Sequence, residues 1–287
     1  FVDTDTDVND ATETTAHVPE YLKGVVTNIQ ASSNEDMLIA QAADDPTAIY
    51  VYRYYWSGRE KLQSSWSRWT FNGDVVGVSF NLADVYLLIK RSNNLFLEKI
   101  NLSVDDATVY TTGNFSIHLD RRVTLETGGL TTVPYTDAAT VYVDQTGKLI
   151  QVADVAAKLA NSEKVYAGVP FTFKYQFSEP VPKINNNPVT TADLRIRNWS
   201  VVYSKTGFFT VNTTPARRTT YTRTFTGRIV GGAANILNKA AIDSGTYQFG
   251  VVGNADTKIV IESDSHLPCQ FQSAEWEGFY VLRSRRM

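Results

Sequence analysis

One cysteine, Cys269, among 287 residues excludes an intrachain disulfide, and with it the small disulfide-stapled secreted scaffold. The natural expectation is folding in a reducing cytosol, with the final location left open. The three histidines, His17, His118 and His266, are far apart. None has the His-x-His, His-Glu-x-x-His or Cys-x-x-Cys spacing that brings ligands to one metal ion. No apolar run approaches the roughly 18–20 residues that span a bilayer, so a soluble chain is expected. The start, Phe1-Val2-Asp3, lacks the basic-then-apolar layout of a signal peptide and reads as a processed product or a piece of something longer. Phosphate-binding glycine loops are missing as well, because Gly231-Gly232 is an isolated turn signal.

What is abundant is aromatic and β-branched. Fifteen Tyr, fourteen Phe and five Trp suit pleated, half-buried surfaces and tilt the composition toward strands. Net charge is only −3, but it is unevenly spread. Residues 1–36 carry Asp3, Asp5, Asp7, Asp10, Glu13, Glu20, Glu35 and Asp36 against Lys23. From Leu194 to Ile242 there is no acid at all, while Arg195, Arg197, Lys205, Arg217, Arg218, Arg223, Arg228 and Lys239 fall there. Such asymmetry speaks to partners rather than to fold.

Short strand signals fill the first hundred residues. Val25–Gln30, Met37–Gln41, Ile49–Trp56 and Ser65–Phe71 are separated by turn chemistry, including Asp44-Asp45-Pro46-Thr47 and Ser57-Gly58-Arg59-Glu60. Asn72-Gly73-Asp74 closes that group, and Asn-Gly between apolar runs is a hairpin signal. Val75–Phe80, Val85–Lys90 and Leu95–Leu102 then repeat the pattern, with Val75-Val76 matching Val25-Val26. A period of about 50 residues with four short strands per unit describes a β-propeller blade. Two blades cannot close a propeller, so the others lie outside this chain, or the sheet is open and the repeat fortuitous.

The character changes near Asp105. Strands are expected at Phe115–Leu125, Ala139–Val143, Lys148–Val152, Phe171–Phe177, Leu194–Tyr203, Phe208–Asn212, Tyr221–Phe225, Thr246–Val252, Lys258–Glu262 and Glu275–Leu282. Ala153–Ala160 has room for two helical turns but no sustained helical stripe. Phe171, Phe173, Tyr175 and Phe177 alternate with Thr, Lys and Gln, the cleanest strand pattern of all. The fold class is therefore all-β: incomplete propeller blades over residues 1–104, then a β-sandwich-like domain over residues 105–287.

Chemistry is thin. Asp3, Asp5 and Asp7 begin like a calcium loop, but the required Gly and Glu are replaced by Val8 and Thr14. Glu275 and Glu277 flank Trp276 and share a strand face, roughly 6–7 Å apart by strand rise, a weak acid pair for glycoside cleavage. Tyr50, Tyr52, Tyr54, Tyr55, Trp56, Trp66 and Trp69 fit a blade core better than a sugar platform. Nothing assembles a nucleophile, so no enzyme, cofactor or metal is expected. The best functional signal is basic: Arg195, Arg197, Arg217, Arg218, Arg223 and Arg228 as a path for nucleic-acid phosphates. The competing explanation pairs these arginines with acids of neighbouring segments or subunits.

Certain stretches carry a family likeness. His17-Val18-Pro19-Glu20-Tyr21, Ile49–Tyr54 and Gln63–Trp69 come first, then Leu194–Trp199, Gly245–Ala255 and Trp276-Glu277-Gly278. In that order the chain resembles the carboxy-terminal portion of podophage tail tubular protein B, the tail nozzle family. The resemblance implies a virion protein of the phage tail, made in the host cytoplasm and assembled as a homohexamer. It implies a lumen with transient contact to double-stranded DNA during ejection, and contacts to the tail adaptor protein and tail fibre protein. It implies the missing blades upstream and no catalytic motif. The rival from another class is a carbohydrate-binding or polysaccharide-degrading β-protein.

Overall fold

The computed structural model describes residues 13–58, 60–102, 115–185, 187–189, 192–228 and 240–282. They fall into two compact units, residues 1–106 and 107–287. Among the described residues the chain is nearly all β, in several antiparallel sheets, with one short helix. The acidic Asp3-Asp5-Asp7 run lies outside the described residues.

In the first unit, β1 (Val26–Ser32), β2 (Met37–Ala42), β3 (Ala48–Ser57) and β4 (Glu60–Thr70) form one sheet in chain order. A second sheet takes β5 (Asp74–Asn81), β6 (Asp84–Arg91) and β7 (Asn94–Asn101). Alternation decides the inner faces: Met37, Ile39, Ile49 and Val51 from the first sheet meet Val75, Val78, Val85, Leu87 and Ile89 from the second in one core. Gln41, buried in this seam, donates from Nε2 to the Val75 carbonyl at 2.8 Å. That satisfies a donor whose burial would otherwise cost about 1–3 kcal/mol.

Asn72-Gly73 departs from the hairpin expectation. β4 and β5 belong to different sheets, so this dipeptide carries the chain between layers. Gly73 has φ +144°, and a Cβ there would stand 2.7 Å from the Lys90 carbonyl. The expected hairpin between β3 and β4 does form, pairing Ser57 with Glu60 around Gly58 at φ +61°.

The second unit opens with β8 (Asp120–Leu125), β9 (Val141–Asp144), β10 (Leu149–Ile150), helix α1 (Val152–Ala160) and β11 (Val165–Val169), in a sheet ordered β10-β9-β11-β8. The helix forms despite its weak pattern because Gln151 and Asp154 close a capping box. It buries Val155 among Leu125, Val165 and Ala167. β11 had no counterpart in the sequence reading, since Val165-Tyr166-Ala167-Gly168 is central, buried on both faces, and shows no alternation.

Next come β12 (Phe173–Gln176), the two-residue pair β13 (Lys183–Ile184) and β14 (Asn187–Pro188), β15 (Ala192–Thr206), β16 (Phe209–Thr214), β17 (Tyr221–Phe225), β18 (Asp243–Asn254), β19 (Lys258–Ser263) and β20 (Gln270–Leu282). They build a four-stranded sheet, β12-β19-β16-β17, and a three-stranded sheet, β18-β15-β20. Both contribute to one aromatic-rich core, with Phe209, Val211, Phe225, Ile259 and Ile261 meeting Leu194, Ile196, Trp199, Val201, Phe249 and Val251. Phe209 stacks on Phe225 at 4.8 Å and meets Phe271 edge-on at 5.2 Å. The Phe171–Phe177 strand shrinks to Phe173–Gln176. Phe173 and Phe177 pack on this core while Tyr175 stays 53% exposed.

β15 hides an irregularity. Leu194 and Ile196 point inward, then Trp199, Val201 and Tyr203, so the buried parity switches from even to odd. The register shifts between Ile196 and Asn198 against both neighbouring strands. This bulge inserts a residue at Arg197 and lets one long strand keep its apolar side inward along its length. Gly278 lies against it, where a Cβ would stand 2.5 Å from the Arg195 carbonyl oxygen.

Candidate functional site

The six arginines do not form one cluster. Arg195 and Arg197 are exposed on the outer side of β15, as the alternation with Leu194 and Ile196 requires. That outer face also carries Glu275, opposite Ser200, and Glu277, opposite Asn198. Asn198 donates to the Glu277 carboxylate at 3.0 Å. The face is therefore mixed in charge rather than uniformly basic.

Arg217 and Arg218 are exposed in the loop joining β16 to β17, which turns through a hydrogen bond from the Arg218 amide to the Pro215 carbonyl. Arg217 adopts φ +59°. Arg228 follows β17 and is exposed. Neither Arg195, Arg197, Arg217 nor Arg218 forms an ion pair with a described acid within hydrogen-bonding reach.

Arg223 is different. It shares the inner side of β17 with Tyr221 and Phe225, and donates to the Gly250 carbonyl on β18 at 2.7 Å. Its guanidinium stands 5.0 Å from the Tyr221 ring centre and 5.9 Å from that of Phe249. This side chain joins the two sheets at their edges through one donor and through its ring contacts.

The strand registers bring further residues to one end of the sheet pair. Thr214 pairs with Lys258, so Lys258 lies beside the Arg217–Arg218 loop. The turn from β18 to β19 links Asn254 to Lys258 and so connects the two sheets at that end. Asn254 pairs with Arg195, and Arg195 on its other side pairs with Phe279. Phe279, Tyr280 and Val281 are 63%, 44% and 67% exposed. Sequence reading missed Lys258 and these exposed apolar residues, because only strand pairing distant in sequence places Lys258 beside Thr214 and Phe279 beside Arg195.

Other sequence candidates dissolve on inspection. Glu275 and Glu277 are both exposed, while Trp276 between them turns toward the core. The aromatic group around β3 divides: Tyr50 and Tyr52 are buried, whereas Tyr55 is 57% exposed on the projecting β3–β4 hairpin. Tyr52 packs on Trp66 at 5.0 Å. Trp66 donates from its indole to the Thr14 carbonyl at 2.9 Å.

The buried titratable groups are structural. His266 is hydrogen-bonded through Nε2 to the Gly147 carbonyl at 2.8 Å; burial pushes its pKa below the ordinary value, against the upward pull of that bond. His118, whose amide donates to the His266 carbonyl, is lowered by burial and by nearby Arg122. Burial raises the pKa of the Cys269 thiol, which favours its protonated form. Burial would raise Asp144, yet hydrogen bonds from Thr146 and the Lys148 amide hold it below the usual carboxylate value. Among the described residues no group of His, Cys, Asp and Glu could hold a metal ion, and no helix is long and apolar enough to cross a membrane.

Comparison with known proteins supplies the context. A family model described as the bacteriophage nozzle protein matches residues 1–161 and 149–287. Tail tubular protein gp12 of Escherichia phage T7 is 26% identical over 312 aligned residues, covering 96% of this chain. The chain spans 39% of that relative's length.

Proposed function

Because the chain belongs to the bacteriophage nozzle protein family, a family of phage tail structural proteins and not of enzymes, we propose that it is a wall segment of the tail conduit. In this reading it assembles with further copies into a sixfold ring whose lumen conducts DNA during ejection. It contacts the tail adaptor protein above and the tail fibre protein at its side. The observation that carries the reading is the family match, which runs through both units.

The architecture agrees with that role. In this reading the two sheets around Met37 and Leu87, built from sequence units about 50 residues apart, are adjacent blades of a propeller. The two sheets around Phe209 and Trp199, which share one core, are read as a sandwich. Rigid, strand-built modules with exposed edges suit a load-bearing ring, whose heterologous contacts close by rotation.

Arg195, Arg197, Arg217, Arg218 and Arg228 remain candidates for facing the DNA, with Arg223 assigned instead to holding the sheets together. A conduit must let DNA slide, and the mixed charge of Arg195 and Arg197 beside Glu275 and Glu277 suits passage better than capture. Native mass spectrometry of the full-length gene product tests the assembly. A hexamer supports the reading, and a protein that stays monomeric at every concentration contradicts it.

A further inference from the structure

The three-stranded sheet β18-β15-β20 ends in two free edges. Among the described residues β18 and β20 each pair with β15 alone, and both run antiparallel to it. Edge strands are ordinarily guarded by lysine, proline or a covering segment. From Gly245 to Asn254 and from Gln270 to Leu282 there is no Lys, Arg or Pro. Arg223 guards β18 at one point, the Gly250 carbonyl. β20 is covered near its start, where Phe173 stacks on Phe271, and is exposed at residues 272–275 and 279–281.

The two edges also match. β18 and β20 have 12 and 13 residues and run the same way, since both oppose β15. Ser200 pairs with Gln248 on one side and Glu275 on the other, and Ile196 with Gly253 and Gly278. Beside that second rung, on the outer face, Val252 of β18 is 73% exposed, and Phe279 of β20 is exposed too. Joining a β20 to a β18 brings these apolar side chains together. Residues 245–254 carry no charge, so nothing there opposes Glu275 and Glu277. One copy cannot join its own two edges while β15 lies between them, but a second copy can.

We propose that β20 of one copy pairs with β18 of the next, so that one sheet continues from copy to copy. The contact is heterologous, and repetition about an axis closes it. This inference rests on the ring reading and names the seam of that ring. Three strands from each copy of a sixfold ring make a barrel of about eighteen strands, a size that leaves a water-filled channel. The four-stranded sheet packs on the inner face of β15 through Phe209 and Ile261. Six such sheets have no room inside that channel, so the opposite face of β18-β15-β20 lines it. Arg195, Arg197, Gln248, Glu275 and Glu277 lie on that face.

The test is disulfide trapping in the full-length protein, with Cys269→Ser as background. Gln248→Cys is combined in turn with Ser273→Cys, Glu275→Cys and Glu277→Cys, which allows for stagger between neighbouring copies. Within one copy these positions stand two strand spacings apart, roughly 9–10 Å, beyond disulfide reach. On oxidation at least one pair should give a ladder of covalent oligomers ending at the hexamer, and the single cysteines should give none. In parallel, Val252→Ser with Phe279→Ser should raise the concentration at which assembly is half complete at least about tenfold, with the urea midpoint of the monomer unchanged. No ladder from any pair, a ladder that stops at dimers, or a serine variant that assembles like its parent overturns the seam. Where native mass spectrometry of the background protein still shows a hexamer, the ring reading survives that loss. A background protein that stays monomeric at every concentration sinks both.

Discussion

The Arg223 guanidinium on β17 donates to the Gly250 carbonyl on β18 at 2.7 Å, with the Tyr221 and Phe249 rings alongside. One of the six arginines that the sequence groups as a basic path is thus a brace between sheets. Replacing it with Ala removes a charged hydrogen bond and two ring contacts. Loss of about 1–3 kcal/mol is expected in denaturant unfolding of the second unit. Arg217→Ala, in an exposed loop, should change stability by less than about 0.5 kcal/mol. Equal effects of the two would refute the distinction.

Gly73 and Gly278 fill different tight places. Gly73 combines φ +144° with a Cβ position 2.7 Å from the Lys90 carbonyl, and Gly278 abuts the Arg195 carbonyl. Gly73→Ala should destabilise the first unit by about 1–3 kcal/mol while leaving the second unchanged. Gly278→Ala should do the reverse. Limited proteolysis with mass readout resolves which unit opens, and a substitution that opens both equally would show that they do not unfold separately.

Acid stability should depend on two histidines. Burial lowers the pKa of His118 and of His266, so the folded chain favours their neutral forms. Their contribution is intact above the ordinary histidine value of 6.5, and falls away as pH drops from there through the folded-state values. Urea midpoints measured across that range should decline toward acid. His118→Gln should flatten the decline, and an unchanged slope would contradict the assignment.

Alkali should act through Tyr203. Its hydroxyl donates to Asp243 at 2.7 Å; burial first, then that bond and the Asp243 charge, push its pKa well above the ordinary tyrosine value of 10.0. The folded state therefore resists ionisation, and the stability it lends is present below that value and lost as pH climbs through the folded-state one. Tyr203→Phe should be less stable near neutrality by about 1 kcal/mol yet lose less on alkaline titration. A variant with the parent's alkaline profile would show that another tyrosine governs it.

Much of this was legible in the sequence. Strands built on alternation, such as Val85–Lys90 and Lys258–Glu262, come out within a residue or two, because one buried face imposes a period of two. The strand Val165–Val169 was invisible, being buried on both faces. The bulge at Arg197 was hidden too, since an added residue leaves the composition of β15 unchanged and shows only in which parity is buried. The arginines stand out in the sequence as a concentration of charge, but their sorting into a brace, a mixed-charge face and an exposed loop depends on partners such as Gly250 and Glu277. Lys258 comes beside Thr214, and Phe279 beside Arg195, only once β19 pairs with β16 and β20 with β15.

A reconstruction of the intact phage tail by electron cryomicroscopy tests the central claim most directly. The account predicts six copies of this chain in a closed ring coaxial with the DNA, both units in its wall and Arg223 braced against Gly250. Density for the chain at any non-axial position, or its absence from the tail, would contradict it.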